Sequence, residues 1–230
     1  ELKKLSPNIN WDLYISNLTD KEMDYMIMDN PNFFKTLDKM FEKNDVKNWK
    51  PYLLFKLINS TSSFLSEEFV NNKFNFYKKE LSGQKIIKPR WERIVSICEM
   101  CLGELIGRLY VKKYFPVSSK KKMMDMVKKI MIVLRDRIKN LNWMGKNTKV
   151  EALRKFKSIK PKIGYPNKWK DYSKLKLSTD KSFLDNIFLC NSFEFDREIK
   201  KIYTETDPEE WEMDPQTINA YFHPLKNEIV

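Results

Sequence analysis

The stretch from Trp91 to Tyr114 sets the firmest limit on what this chain can fold into. It follows Pro89, is stopped by Phe115-Pro116, and spaces Ile94, Cys98, Cys101 and Leu105 three and four residues apart, the interval that gathers side chains on one face of an α-helix. The flanking segments repeat that interval. Pro31-Asn32 opens a helix with Phe34, Leu37 and Phe41 on one face, and Trp49-Lys50-Pro51 opens the next, with Leu53, Leu57 and Ile58 inward. Ser66 is placed to cap a helix carrying Val70, Phe74, Tyr77 and Leu81, which Gly83 closes. Ser119 is placed to cap another, with Met123, Val127, Ile130, Leu134 and Ile138 in one apolar stripe. A shorter helix follows Gly145, with Val150, Leu153 and Phe156 inward, and Pro161 ends it. Beyond the turn-rich loop Ile163-Gly164-Tyr165-Pro166, Asp180 to Ile202 forms the last helix. Only from Thr217 do residues alternate, and Pro224-Leu225-Lys226-Asn227 supplies a turn, so the final NAYFHPLKNEIV reads as a β-hairpin. The fold class is therefore mainly α with a hairpin at the C-terminus.

Composition removes several function classes. Hydrophobic residues make up 42% of the chain and aromatics 13%, which suffices for a packed core. The longest apolar runs fall well short of the roughly 20 residues that span a bilayer. The chain starts at Glu1 with no targeting pattern and stops on a strand, so both ends read as cut. The net charge of +12 admits a polyanion partner, but Lys and Asn are common throughout and Gly is scarce, a pattern that coding bias produces without any ligand. Lys120-Lys121-Lys122 sits at a helix start, and a solvated surface explains these cations better than nucleic-acid binding.

Candidate chemistry in the residues themselves is sparse. Three cysteines exclude a disulfide framework, and Cys98 and Cys101 fall on the apolar face of one helix, where buried thiols are the better reading of their C-x-x-C. With a single histidine, His223, there is no histidine-rich metal site and no H-E-x-x-H; next to Pro224 it reads as a surface turn residue. The five glycines form no phosphate loop, and Gly103 and Gly107 within a helix read as a close helix-helix contact. Glu67-Glu68 and Glu209-Glu210 are read at helix starts, where they complement the dipole.

Several longer strings carry more. Lys88-Pro-Arg-Trp-Glu-Arg-Ile-Val95, the run Leu102 to Phe115 (LGELIGRLYVKKYF), Leu141-Asn-Trp-Met144, Pro161-Lys-Ile-Gly-Tyr-Pro166 and Pro215-Gln-Thr-Ile-Asn-Ala-Tyr-Phe222 occur in this order, with Asn10-Trp11, Pro31-Asn-Phe-Phe34 and Leu81-Ser-Gly-Gln84 ahead of them. Together they resemble the neprilysin and endothelin-converting-enzyme family of zinc metallopeptidases, with the bacterial oligopeptidase O branch the nearest in pattern. The resemblance extends over nearly the whole chain.

What the resemblance implies is a two-lobed metalloendopeptidase that cleaves small peptides in a chamber between a helical lobe and a thermolysin-like catalytic lobe. Residues 1–213 would belong to the helical region and residues 214–230 to the start of the catalytic domain. In the family the Asn-Ala-aromatic segment is an edge strand along which the peptide lies, which assigns substrate binding to Asn219, Ala220 and Tyr221. The family's H-E-x-x-H and its further zinc ligand follow the N-A-Y-F and N-E-I-V segments. This chain alone is thus expected to hold no zinc, to carry no catalytic residue and to be inactive, with a C-terminal catalytic region and a peptide substrate as its partners. The low cysteine count favours a cytoplasmic setting over a secreted or periplasmic one. The competing reading is a stand-alone basic helical module that binds a polyanion or a protein.

Overall fold

The computed structural model describes residues 1–23 and 25–230. Helices dominate: α1 (Leu2–Leu5), α2 (Trp11–Ser16), α3 (Pro31–Lys43), α4 (Val46–Thr61), α5 (Glu67–Lys73), α6 (Arg90–Tyr114), α7 (Val117–Asn140), α8 (Lys146–Lys157) and α9 (Phe183–Lys201). Three two-residue strands, β1 (Lys160–Pro161), β2 (Phe222–His223) and β3 (Glu228–Ile229), form one sheet in the order β1-β3-β2. The chain separates into two compact units, one of Glu1–Ile87 with Lys176–Thr204, the other of Lys88–Leu175 with Glu205–Val230.

In the first unit, polar side chains hold the helix ends. Asn10 accepts from the Leu13 N–H at 3.0 Å, and Asn30 accepts from that of Phe33 at 3.3 Å with Pro31 at the first helical position. Asp38 on α3 is buried and accepts from the Asn8 backbone and side-chain amides at 2.8 and 3.0 Å, which ties the chain after α1 to α3. The buried Trp11 indole donates to the Ser6 hydroxyl at 2.9 Å and meets Phe34 edge-on. Helix α4 begins at Val46, ahead of the Trp49-Lys50-Pro51 start that the sequence pattern predicts. Pro51 removes one N–H from a helix already under way, and Trp49 stacks on Phe41 at 4.8 Å to hold the earlier turns. After α5 the backbone widens into a π-helical stretch, Phe74–Glu80, and Gly83 at φ +71 ends it. Helix α9 starts at Phe183, later than predicted, because Ser182 and Asp185 form a reciprocal capping box.

The second unit is built on α6, which is kinked at Leu102 (φ −132, ψ 28). Helix α7 starts at Val117 and not after Ser119, since the Pro116 carbonyl already accepts from the Ser119 N–H at 2.9 Å. Strand β1 pairs parallel with β3 (Lys160 opposite Glu228), where the sequence predicts only the end of a helix and a loop. Strand β2 pairs antiparallel with β3, Phe222 opposite Ile229 and His223 opposite Glu228, which is the hairpin the sequence predicts, but it starts at Phe222 and not at Thr217, since the Asn219 N–H turns back to the Thr217 carbonyl at 3.1 Å. Asn227, at φ +53, takes the left-handed position of the turn. Glu209-Glu210 sits in a turn and not at a helix start, with the Glu209 N–H donating to Asp207 at 2.8 Å.

Several predicted inward faces are not covered. Leu53 is 59% exposed, Leu57 52% and Ile130 57%, while Cys101 and Cys190 are buried and Cys98 is half-buried. A 3.6-residue period marks which face is apolar, but that face is buried only where another element lies on it.

Candidate functional site

The three predicted site residues lie directly ahead of β2, and of them only Tyr221 is paired across the hairpin. Tyr221 and Val230 exchange backbone hydrogen bonds at 3.0 and 2.9 Å, so in an antiparallel ladder Ala220 and Phe222 turn their backbone groups to the other side. Strand β2 has β3 as its one neighbour among the described residues, and that other side is a sheet edge. Asn219 and Ala220 are exposed and Tyr221 is half-buried. The Ala220 N–H donates to Asn219 Oδ1 at 2.8 Å, which fixes the orientation of the carboxamide. Its amino group points away from that bond. The outer edge therefore presents the Asn219 side-chain donor, the Ala220 carbonyl, and the N–H and carbonyl of Phe222.

Behind the edge lies a charged cluster. Lys226 Nζ stands 2.6 Å from Glu212, whose carboxyl is held below its ordinary range first by this hydrogen bond, against the opposing effect of burial. The Lys226 ammonium is raised by the same bond, and burial pushes the Tyr221 phenol up, with the nearby Glu212 charge adding to it. His223 is a half-buried strand residue and not a surface turn residue: its Nδ1 accepts from the Lys226 N–H at 3.1 Å, and its Nε2 stands 3.6 Å from Glu212. On the other side of β3, Lys162 and Glu228 form an ion pair at 2.8 Å with side chains 8% and 4% exposed.

Two features anchor this region. Gly103 and Gly107 on α6 make close contact with the Asp214-Pro215-Gln216 segment, not with a helix: a Cβ on Gly107 would stand 2.7 Å from Pro215 Cδ. Beside β1 runs a groove of about 470 Å³ whose lining includes Lys120, Lys160, Tyr165, Asn167 and Trp211. Lys120 donates to the Tyr165 carbonyl at 2.6 Å and to Asn167 at 3.1 Å, and burial lowers its pKa. Gly164, at φ +81, lies against the Phe115 ring, where no side chain would fit.

Sequence reasoning missed Lys162, Glu228 and Gln216. A lysine in a turn-rich string and a glutamate in an alternating one carry no local sign of pairing, whereas the four-residue spacing of Gly103 and Gly107 did mark a close approach, though with a different partner.

The donors among the described residues do not make a zinc site. The one imidazole has Nδ1 engaged by a backbone N–H, and among the described residues no three of the His, Cys, Asp and Glu side chains gather where they could hold a metal ion. Among the described residues no helix is long and apolar enough to cross a membrane.

Residues 1–166 match peptidase family M13. The whole chain aligns with Neprilysin-2 of Drosophila melanogaster at 30% identity, covering 33% of that protein, and with Endothelin-converting enzyme 1 of Bos taurus at 28%, covering 32%. The zinc metalloprotease ZMP1 of Mycobacterium tuberculosis, solved in complex with inhibitor, superposes with a TM-score of 0.88 at 31% identity over 99% of this chain and 34% of its own. The chain thus spans about a third of the length of these relatives.

Proposed function

The chain belongs to peptidase family M13, and from that premise we propose that it is the helical front portion of a zinc metalloendopeptidase acting on small peptides, supplying the strand on which the peptide lies. The donors among the described residues do not fit a zinc ion, so in such an enzyme the ion's ligands would come from elsewhere. What this chain's own residues do is bind and orient.

The observation that carries the reading is the open outer edge of β2 behind Asn219. An extended peptide added there meets a side-chain donor at Asn219, an acceptor at Ala220, then a donor and an acceptor at Phe222, the alternation that a further antiparallel strand requires. Main-chain pairing is indifferent to side chains, so such an edge accepts many peptide sequences. The half-buried Tyr221 faces β3 with its backbone and keeps the strand in register.

The test is peptide hydrolysis by the polypeptide extended to the length of its relatives, compared with its Asn219→Ala variant. One hydrogen bond of this kind contributes about 0.5–1.5 kcal/mol, so kcat/KM should fall by roughly threefold to tenfold with thermal unfolding unchanged. Equal hydrolysis by both proteins, or a loss accounted for by unfolding, would remove Asn219 from substrate binding.

A further inference from the structure

We propose that Gly103, Gly107 and Gln216 form a seat that fixes the peptide-binding strand on α6, which makes Gln216 a positioning residue; the inference rests on the reading of β2 as the peptide's edge. Asp214-Pro215-Gln216 lies in a notch that only glycine leaves open. A Cβ on Gly103 would fall on the Asp214 carboxylate, and one on Gly107 would stand 2.7 Å from Pro215 Cδ and 2.8 Å from Gln216 Oε1. Both glycines are buried. Gln216 Nε2 donates to the Gly103 carbonyl at 3.2 Å, directly after the kink at Leu102, so the side chain meets α6 where its regular backbone pattern is interrupted. Gln216 Oε1 is buried and has no hydrogen-bond partner among the described residues, so the amide is held by its Nε2 bond and by packing against Gly107.

Between the seat and the edge, the chain has little else to hold it. Thr217, Ile218, Asn219 and Ala220 are all exposed. Their order comes from a series of local bonds: the Thr217 N–H to the Asp214 carbonyl at 3.0 Å, the Asn219 N–H to the Thr217 carbonyl at 3.1 Å, the Ala220 N–H to Asn219 Oδ1 at 2.8 Å, and the Tyr221 N–H to the Val230 carbonyl at 3.0 Å. The first three bonds refer each donor back along the segment, starting from the seat, and the last ties its far end across the hairpin to Val230. With the seat intact, the edge is ordered before the peptide arrives, and binding does not bear the cost of ordering it. Without it, residues 217–220 would swing from the hairpin alone.

The experiment compares the 230-residue chain with its Gly107→Ala, Gln216→Met and Gln216→Ala variants and with the Gly107→Ala, Gln216→Ala double variant. Amide hydrogen exchange is followed residue by residue, and a capped alanine-leucine hexapeptide is titrated as probe. Each single variant should raise exchange at Tyr221 and Val230 by about tenfold relative to the α7 amides, and weaken the hexapeptide by roughly threefold to tenfold, with helical content unchanged. The double variant should fall short of the product of its singles, because the shortened side chain no longer meets the added methyl. Unchanged exchange at Tyr221, or an equal rise throughout α7, would overturn the seat. Failure of the unsubstituted chain to bind the hexapeptide would instead count against the edge reading, and the exchange comparison would still decide the seat.

Discussion

Replacing Lys162 with Met should destabilise the second unit by several kcal/mol, and the size follows from what the substitution leaves behind. The Lys162 ammonium lies 2.8 Å from Glu228 and donates to the Glu210 carbonyl at 2.6 Å, with both side chains of the pair more than nine-tenths buried. The intact pair gains attraction but loses hydration, so its own net contribution is small. Removing one partner is a different matter, because Glu228 then keeps a carboxylate in the interior without a cation. Losses of about 3–5 kcal/mol are typical of that situation, which is roughly two to four decades in the folded-to-unfolded ratio. The double variant Lys162→Met, Glu228→Leu removes both charges and should recover most of the loss, short of the bond to Glu210. Urea unfolding of the chain, both single variants and the double, read by circular dichroism, gives the coupling directly. A Lys162→Met variant within about 1 kcal/mol of the unsubstituted chain, or a double variant no better than the sum of its singles, would refute the reasoning.

Ser182→Ala should lower stability by about 0.5–2 kcal/mol, because it removes the acceptor for the Asp185 N–H at 3.1 Å; a thermal melt of the variant checks it. Glu212 is held below its unfolded carboxyl value by Lys226, so its contribution is present above roughly pH 4.3 and is lost as the pH falls through the lower folded value. Exchange protection of Tyr221 should therefore decline on acidification, and Glu212→Gln should flatten that dependence. The 230-residue chain should retain no stoichiometric zinc; a metal assay that finds a tightly held ion, lost on His223→Ala, would contradict the reading of its donors.

The elements most legible in the sequence are those whose signals are long and bounded. Helix α6 spans Arg90–Tyr114 where an unbroken apolar period between two prolines predicts Trp91 to Tyr114. Helix starts were less legible. Pro51 and Ser119 are good starting residues in general, yet α4 and α7 begin ahead of them because Asp45 and Pro116 had already turned the chain. Burial was the least legible: Leu53 and Ile130 are periodic but exposed, since a period belongs to one helix and burial to a pair of elements. The same distinction applies to Gly103 and Gly107, whose spacing announces a close approach without identifying the segment that makes it.

The candidate site divides along the same line. Alternation in NAYFHPLKNEIV is enough to predict the hairpin, but a hairpin has two edges, and nothing within it says which one stays open. The deciding element is β1, two residues that have no strand pattern of their own. The Lys160 N–H donates to the Asn227 carbonyl at 3.0 Å and the Lys162 N–H to the Ile229 carbonyl at 2.7 Å, which covers the β3 side of the hairpin. The new edge that β1 creates is a poor template in turn. Lys160 and Lys162 direct their amides at β3, so the intervening residue faces outward, and that residue is Pro161, which has no N–H to give. The sheet thus has one blunted edge and one open edge, and the open one carries Ala220 and Phe222 behind the Asn219 carboxamide. On the proposed reading, a peptide that paired with this sheet through its backbone would be directed to β2 by a proline on the far strand as much as by the asparagine beside it.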